Sequence, residues 1–196
     1  MAYLAIILFI IVLLIFVPSP MRARRRIPTI SNPILGVLNL IGPPTEAEVK
    51  ADLEELTQYF SEVRQEYDVP PLCDVLLLYC NINSGGVVIG SAQSFEEIVR
   101  EAGAAVTIVA TNNAPEEYQA LGKQETSYVY GTNLMMPIDR RGSLLARFLA
   151  QLFAQMKSGV SMPMALHNLA PQVPTSEHND GPAIMCALGY GQIAFR

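Results

Sequence analysis

The sequence has 196 residues, of which 51% are hydrophobic and 16% are charged, and its formal net charge is −5. This composition is too apolar and too weakly charged for a disordered chain, and the length suits one domain with an appendage. Three cysteines exclude a disulfide framework of the secreted kind, and two histidines argue against a multi-histidine metal site.

The first predicted element is a membrane anchor. Residues 2–17 (AYLAIILFIIVLLIFV) contain no charge and no helix breaker. As a helix they would span about 24 Å, against a bilayer core of about 30 Å, and the flanking residues extend that span. A cleaved signal peptide has basic residues before its apolar run and a small-residue cleavage site after it, and neither is present. We predict a transmembrane helix within residues 1–20.

Four basic residues follow the anchor directly: Arg22, Arg24, Arg25 and Arg26. No basic side chain precedes the anchor, so the positive-inside bias places the rest of the chain in the cytoplasm. The arginines also suit anionic lipid headgroups, which makes membrane lipid an expected partner. From residue 27 onward, 9 basic residues face 18 acidic ones, a net charge of −9 that argues against a nucleic-acid partner.

Residues 21–33 form a basic, proline-containing linker, and regular elements are predicted from residue 34 onward. Residues 34–41 form an apolar strand. The segment Thr45 to Glu48 has the pattern of a capping box before a helix of about five turns. The apolar face of that helix would carry Val49, Leu53, Leu56, Phe60, Val63 and Tyr67. Residues 74–79 form a second strand, which leads into a glycine turn at residues 80–86.

Later segments continue the alternation. Ser91 or Ser94 caps a helix that Gly103 ends, and residues 105–110 form a third strand. We further predict a weak strand at residues 128–130, helices over 142–157 and 163–169, a polar loop over 170–183, and terminal strands at 184–188 and 192–195. The order of elements favours an α/β domain over residues 34–196, with a parallel sheet and right-handed crossovers.

The glycine turn admits three chemistries. A phosphate-binding loop needs glycine patterns that are absent, and no other motif indicates a cofactor. Cys80, at the end of a central strand, is an alternative nucleophile, but His167 and His178 lie far downstream and a small buried cysteine is the favoured interpretation. The third option is an oxyanion hole formed by the backbone amides of Gly85 and Gly86.

Residues 76–88 (LLLYCNINSGGVV) resemble the strand and turn of the ClpP and signal-peptide-peptidase-A group of serine proteases, within the crotonase-like fold. The family turn reads close to INSPGGxV. Its proline is missing here, and the residues that match are Asn83, Ser84, Gly85, Gly86 and Val88. The order of strands and helices also matches over residues 34–137, and many members of the peptidase-A branch have an N-terminal anchor. The resemblance implies a ClpP/crotonase-like parallel sheet with flanking helices and an oxyanion-type turn at Ser84, Gly85 and Gly86.

The catalytic positions of the family are degenerate in this sequence. Pro115 stands where the resemblance places the nucleophilic serine, and Glu116 and Glu117 stand where glycines are usual. Residues 135–141, where a ClpP-type histidine is expected, contain none, and Lys123 is more typical of a solvated charge at a helix end.

Other candidate site residues have ordinary interpretations. Ser127 and Ser143 suit a loop and a helix cap, and a metal site formed by His167, His178 and Cys186 would require one helical and two irregular segments to meet.

We therefore expect a membrane-anchored, peptidase-like protein that is catalytically inactive and acts in binding or assembly. Its partners would be membrane lipid, a protein or peptide, and further copies of itself, because this fold group commonly forms rings or trimers. The leucines and methionines of residues 134–164 suit such an interface. Two alternatives stay open: an active membrane serine peptidase with an unplaced nucleophile, and a cysteine hydrolase that uses Cys80.

Overall fold

A computed structural model describes residues 29–83, 85–91, 93–113, 134–140, 145–169, 188–189 and 193–196. The strands within these ranges are β1 (Thr29–Ile30), β2 (Ile34–Asn39), β3 (Glu62–Glu66), β4 (Val75–Tyr79), β5 (Val106–Thr111), β6 (Leu134–Asp139), β7 (Leu188–Gly189) and β8 (Ala194–Phe195). The α-helices are α1 (Glu46–Leu56), α2 (Phe95–Ala102), α3 (Leu145–Lys157) and α4 (Met162–Leu169).

The main sheet has the strand order β3-β2-β4-β5-β6-β7. All neighbours from β3 to β6 are parallel, and β7 runs antiparallel to β6. A separate parallel pair joins β1 to β8. The prediction of an α/β fold with a parallel sheet and flanking helices is thus confirmed.

Helices cover both faces of the main sheet. Leu35 and Val37 of β2 belong to one apolar core with α1, α3 and α4, whereas Leu38 belongs to a second core with α2. This division follows from the strand period of two, which sends successive side chains to opposite faces. The strands β2, β4 and β5 are buried on both faces, which is why they appear as continuous apolar runs in the sequence.

The chain changes direction across the sheet between β2 and β4. From β2 it passes through α1 to β3 on one side, and it then returns to place β4 on the other side of β2. Right-handed crossovers in opposite directions put their helices on opposite faces, as α1 and α2 are. The chain thus leaves β2 and β4 toward opposite sides of the sheet, which defines a topological switch point at the carboxyl edge between them.

The long first helix of the prediction is wrong beyond Leu56. A 3-10 turn at Thr57–Tyr59 ends the helix, and the chain continues as the strand β3. Ser61, directly before β3, donates its backbone N–H to the carbonyl of Pro33 at 2.9 Å. The strand β3 then pairs with β2 along its whole length. The apolar spacing of four and three residues continues through Phe60, Val63 and Tyr67, as in a helix. The pairing of β3 with β2 nevertheless makes this segment a strand.

The predicted capping box at Thr45 is also absent. The Thr45 hydroxyl bonds to Asn39 Oδ1 and to the carbonyl of Gly42, each at 2.9 Å, and no side chain caps α1. Glu48 instead accepts a hydrogen bond from Arg140 at 2.7 Å. The second predicted cap is confirmed at Ser94, which forms a reciprocal capping box with Glu97.

The strand β6 was not predicted, because Pro137 lies within it. Its partner β7 pairs only with Leu134 and Met135 among the described residues, so Pro137 needs no ladder donor on that side. The helices α3 and α4 confirm the two predicted helices, and Gly159 ends α3 with a φ of +88°. The predicted strand at 128–130 and the polar loop at 170–183 lie outside the described residues.

The apolar face of α3 does not supply an exposed interface. Its buried side chains, with the first residue of α4, pack inside the chain's own core: Leu145, Phe148, Leu149, Leu152, Phe153, Met156 and Met162. Met164 is half exposed. The expectation that the leucines and methionines of 134–164 form an oligomer surface is therefore wrong for these residues, because the sheet already covers them.

None of the helices in the part of the chain that the structure describes is long and apolar enough to cross a membrane. The predicted anchor at residues 1–20 and the arginines Arg22, Arg24, Arg25 and Arg26 lie outside that part.

Candidate functional site

The glycine turn is a tight antiparallel hairpin at the carboxyl end of β4. Ile82 bridges Val88, and the backbone N–H of Asn83 donates to the carbonyl of Val87 at 3.0 Å. Gly86 closes the hairpin by donating its N–H to the carbonyl of Asn83 at 2.9 Å. Its φ of +75° lies in the left-handed region, so glycine is required there for conformational reasons.

The side chain of Asn83 stabilises the same hairpin by accepting two of its backbone N–H groups. Its Oδ1 accepts the backbone N–H of Gly85 at 2.9 Å and that of Val87 at 3.1 Å. The amides of Gly85 and Gly86, which the resemblance assigns to an oxyanion-type turn, are thus both engaged by Asn83 within the turn. Ser84, the third residue of the predicted oxyanion turn, lies outside the described residues.

A second asparagine ties the hairpin to the end of β5. Asn113 accepts the N–H of Ile82 through Oδ1 and donates from Nδ2 to the carbonyl of Ile82, both at 2.7 Å. Asn81 Oδ1 accepts the backbone N–H of Asn112 at 2.9 Å and the hydroxyl of Thr111 at 3.2 Å. These bonds fix the loops after β4 and β5 to each other at the carboxyl edge.

Cys80 lies beneath the hairpin and is fully buried in the core that α2 covers. This burial raises the pKa of the Cys80 thiol far above its ordinary value, which keeps the sulfur protonated. His167 lies on α4, which packs on the opposite face of the sheet. The structure therefore does not bring Cys80 and His167 together, and the favoured interpretation of Cys80 as a small buried side chain is confirmed.

Several predicted site residues fall outside the described ranges, and their roles stay predictions. They are Pro115, Glu116, Glu117, Lys123, Ser127, Ser143, His178 and Cys186. Within the described residues, no group of three or more histidine, cysteine, aspartate or glutamate side chains is placed to hold a metal ion.

A crevice of about 500 Å³ opens at the switch point between the loops that follow β2 and β4. We call it the switch-point crevice. Its lining includes Asn39, Glu46, Tyr67, Asp68, Ser91 and Gln93. Ligands of open α/β sheets bind where the strand order reverses, outside the carboxyl ends of the strands. The crevice is therefore placed where this architecture positions a ligand.

Asn39 forms the floor of the loop beside this crevice. It is buried, its Oδ1 accepts the N–H of Ile41 at 3.1 Å and the hydroxyl of Thr45 at 2.9 Å, and its Nδ2 donates to the carbonyl of Gly42 at 3.3 Å. Asparagines that organise the following loop thus occur at the carboxyl end of all three central strands: Asn39 is the last residue of β2, and Asn81 and Asn113 follow β4 and β5 by two residues. This regularity was not predicted, although the spacing of these asparagines from the apolar runs of the sequence is a local signal that indicates it.

A polar pair crosses from β4 to α1 on the other face. The Tyr79 hydroxyl donates to Asp52 Oδ2 at 2.6 Å, with the Tyr79 ring fully buried. Burial raises the pKa of the Asp52 carboxyl, the hydrogen bond from Tyr79 opposes that rise, and the nearby carboxylates of Glu48 and Glu55 add to it. This pair joins α1 to the centre of the sheet and does not face the switch-point crevice.

No protein-family model matches this sequence, and no curated protein matches it with significant similarity. The likeness to the ClpP and signal-peptide-peptidase-A group thus rests on the turn at residues 76–88 and on the order of elements.

Proposed function

We propose that this chain is a membrane-anchored binding or assembly protein, whose ClpP/crotonase-like domain does not hydrolyse peptides. The observation that carries the proposal is the engagement of both glycine amides by Asn83. An oxyanion hole needs free N–H groups about 3 Å from the developing oxyanion, and loss of one such donor costs about 3–4 kcal/mol of transition-state stabilisation. A turn that occupies both donors internally has no such stabilisation to offer.

The nucleophile is the second part of the proposal. Pro115, at the position that the resemblance assigns to the serine, has neither a side-chain nucleophile nor a backbone N–H. Cys80, the alternative nucleophile, is buried and held as a thiol, whereas catalysis by cysteine requires an accessible thiolate. Both considerations favour binding over hydrolysis.

Membrane attachment is the third part. Residues 1–20 would anchor the chain, and Arg22, Arg24, Arg25 and Arg26 would lie against cytoplasmic headgroups. Eight residues separate the anchor from β1, a tether of at most about 28 Å if fully extended. Such a tether would keep the domain at the membrane surface, where further copies and a protein or peptide partner would meet it.

Activity-based probes test the loss of hydrolysis. The purified full-length chain would be treated with a fluorophosphonate and, in parallel, with an iodoacetamide probe, and casein cleavage would be followed in the same preparation. We expect no serine labelling, no casein cleavage, and iodoacetamide labelling that is unchanged in the variant Cys80→Ala.

Two results would contradict the proposal. Stoichiometric fluorophosphonate labelling that disappears in one Ser→Ala variant would establish the active serine peptidase. Rapid iodoacetamide labelling at Cys80, with casein cleavage lost in Cys80→Ala, would establish the cysteine hydrolase.

A further inference from the structure

We propose that the switch-point crevice binds the guanidinium group of a ligand. The group belongs either to a free organic cation or to an arginine side chain of a partner peptide. This inference rests on the proposed binding role of the domain and assigns that role a place and a ligand chemistry.

The position and the volume of the crevice suit a small ligand. The crevice lies between the loop after β2, which contains Asn39 and Gly42, and the loop after β4, which contains Gly90 and Ser91. Its volume of about 500 Å³ lies within the range of small-ligand pockets, about 300–1,000 Å³. Gly90 has a φ of +87°, and a β-carbon there would approach the carbonyl of Leu40 at 3.7 Å, so the two loops lie close together.

The negative charge of the crevice lining favours a cationic ligand. Glu46 and Asp68 approach the crevice from different segments of the chain, and none of the described residues that line it is basic. The chain from residue 27 onward carries a net charge of −9, so its field adds to the local one and draws cations toward a concave site. The first turn of α1, whose N-terminus faces an anion in many nucleotide sites, already holds Glu46 and Glu48. These carboxylates disfavour an anionic ligand.

The uncharged residues that line the crevice also suit a guanidinium group. Tyr67 lines the crevice with 55% of its surface exposed, and its hydroxyl accepts a hydrogen bond from Gln65 Nε2 at 3.3 Å. A half-exposed tyrosine ring and two carboxylates that line one crevice suit a guanidinium, which stacks on aromatic faces while it donates hydrogen bonds to carboxylate oxygens. Asn39 also lines the crevice, and its side-chain amide donates to the carbonyl of Gly42 at 3.3 Å, which fixes the loop that forms this wall.

Binding would be measured by isothermal titration of the full-length chain in detergent micelles with three probes. Agmatine represents a free cation, N-acetylarginine amide represents a peptide side chain, and N-acetylcitrulline amide has the same shape as the latter without the charge. We expect saturable binding of at least one of the two guanidinium probes and none of the citrulline probe. Tighter binding of the arginine amide than of agmatine would assign the site to a peptide, and the reverse would assign it to a free cation.

Variants locate the binding. Glu46→Gln and Asp68→Asn should each weaken the binding of the guanidinium probe about two- to fivefold, the range of a partly solvated charge pair. Tyr67→Leu should weaken it to a similar extent. Glu54→Gln makes the same charge change on the exposed face of α1, about 12 Å further along the helix, and should leave the affinity unchanged. The thermal unfolding of each variant would show that it is folded.

Three results would overturn the inference: no saturable binding of either guanidinium probe, equal binding of the citrulline probe, or equal effects of Glu54→Gln and Asp68→Asn. None of these depends on the peptidase assay. Failure of the cation site therefore leaves the proposed lack of hydrolysis standing, and labelling by fluorophosphonate leaves the cation titration interpretable.

Discussion

A β-carbon on Gly36 would lie 2.5 Å from the sulfur of Cys73. Pro71 is almost as close, with its Cγ 2.8 Å from the same point. Residues 71–74, at the end of the segment that returns the chain from β3 to β4, therefore lie directly on the backbone of β2. A glycine in the middle of a buried strand normally weakens it, but here it makes room for the crossover that creates the switch point.

We predict that Gly36→Ala lowers the free energy of unfolding by about 1–3 kcal/mol, because the added methyl group overpacks a closed contact. Denaturant titration of the full-length chain measures this. Cys73→Ala should recover part of the loss in the double variant, since it removes the sulfur but not Pro71. Unchanged stability in Gly36→Ala would show that the crossover does not lie on β2 as described.

Two substitutions of Asn83 distinguish the contribution of its side-chain oxygen, as a hydrogen-bond acceptor, from the contribution of its size. Asn83→Ala removes the acceptor for the N–H groups of Gly85 and Val87 and should cost about 1 kcal/mol of stability. Asn83→Asp keeps an oxygen at that position and should stay close to the wild type. Chemical denaturation compares the three proteins, and equal destabilisation by both substitutions would exclude the acceptor as the element that holds the turn.

The Asp52 carboxyl gives a pH dependence whose sign follows from its raised pKa. In the folded chain Asp52 retains its proton above the ordinary value of 3.8, so the folded state binds more protons than the unfolded state there. Its contribution to stability is complete at low pH and decreases as the pH rises through the folded pKa.

Asp52→Asn removes this titration and retains an acceptor for the Tyr79 hydroxyl. Relative to the wild type, the variant should therefore gain stability as the pH rises from below 3.8 toward neutrality. Unfolding free energies measured across that range check it, with Glu54→Gln as the exposed control. A stability difference that is constant with pH would contradict the prediction.

A chain that begins at Ile27 should unfold in one cooperative thermal transition. The reason is that both cores are built from residues after that point, including the cluster of Phe60, Phe153 and Phe195, whose rings lie 4.9–5.8 Å apart. Calorimetry or circular dichroism of the shortened chain measures it. If the shortened chain is soluble only in an unfolded form, the division into anchor and domain is wrong.

Topology reporters fused after Arg196 test the orientation. The arginines Arg22, Arg24, Arg25 and Arg26, directly after the predicted span, predict a cytoplasmic C-terminus. A reporter active only in the cytoplasm should function, and one active only across the membrane should not. The opposite pattern, or removal of the first 20 residues during maturation, would contradict this prediction.

The sequence predicted the elements whose signals are local. The apolar runs of β2, β4 and β5, the cap of α2 at Ser94, and the end of that helix at Gly103 all follow from neighbouring residues. The helical period through Phe60 and Val63 misled because the chain leaves the helix before Phe60 and enters β3, where Ser61 donates its N–H to the distant carbonyl of Pro33. No local signal records such a partner.

The candidate site was less predictable for the same reason. The glycine pair resembled an oxyanion-type turn, but whether its amides are free depends on the hydrogen bonds that Asn83 makes within the turn. The switch-point crevice depends on the strand order, which brings Glu46 and Asp68 to one place although β3 separates them along the chain.

The amides of Gly85 and Gly86 can be observed directly. In the full-length chain labelled with ¹⁵N only at its 13 glycines, a peptide boronate would be titrated while the amide resonances are followed. A boronate forms a tetrahedral adduct with a catalytic serine and places an oxyanion in a working oxyanion hole. We predict that neither resonance shifts, because both N–H groups stay bonded to Asn83. A saturable shift of both resonances would show that the turn opens to receive an oxyanion and that the domain is an active peptidase.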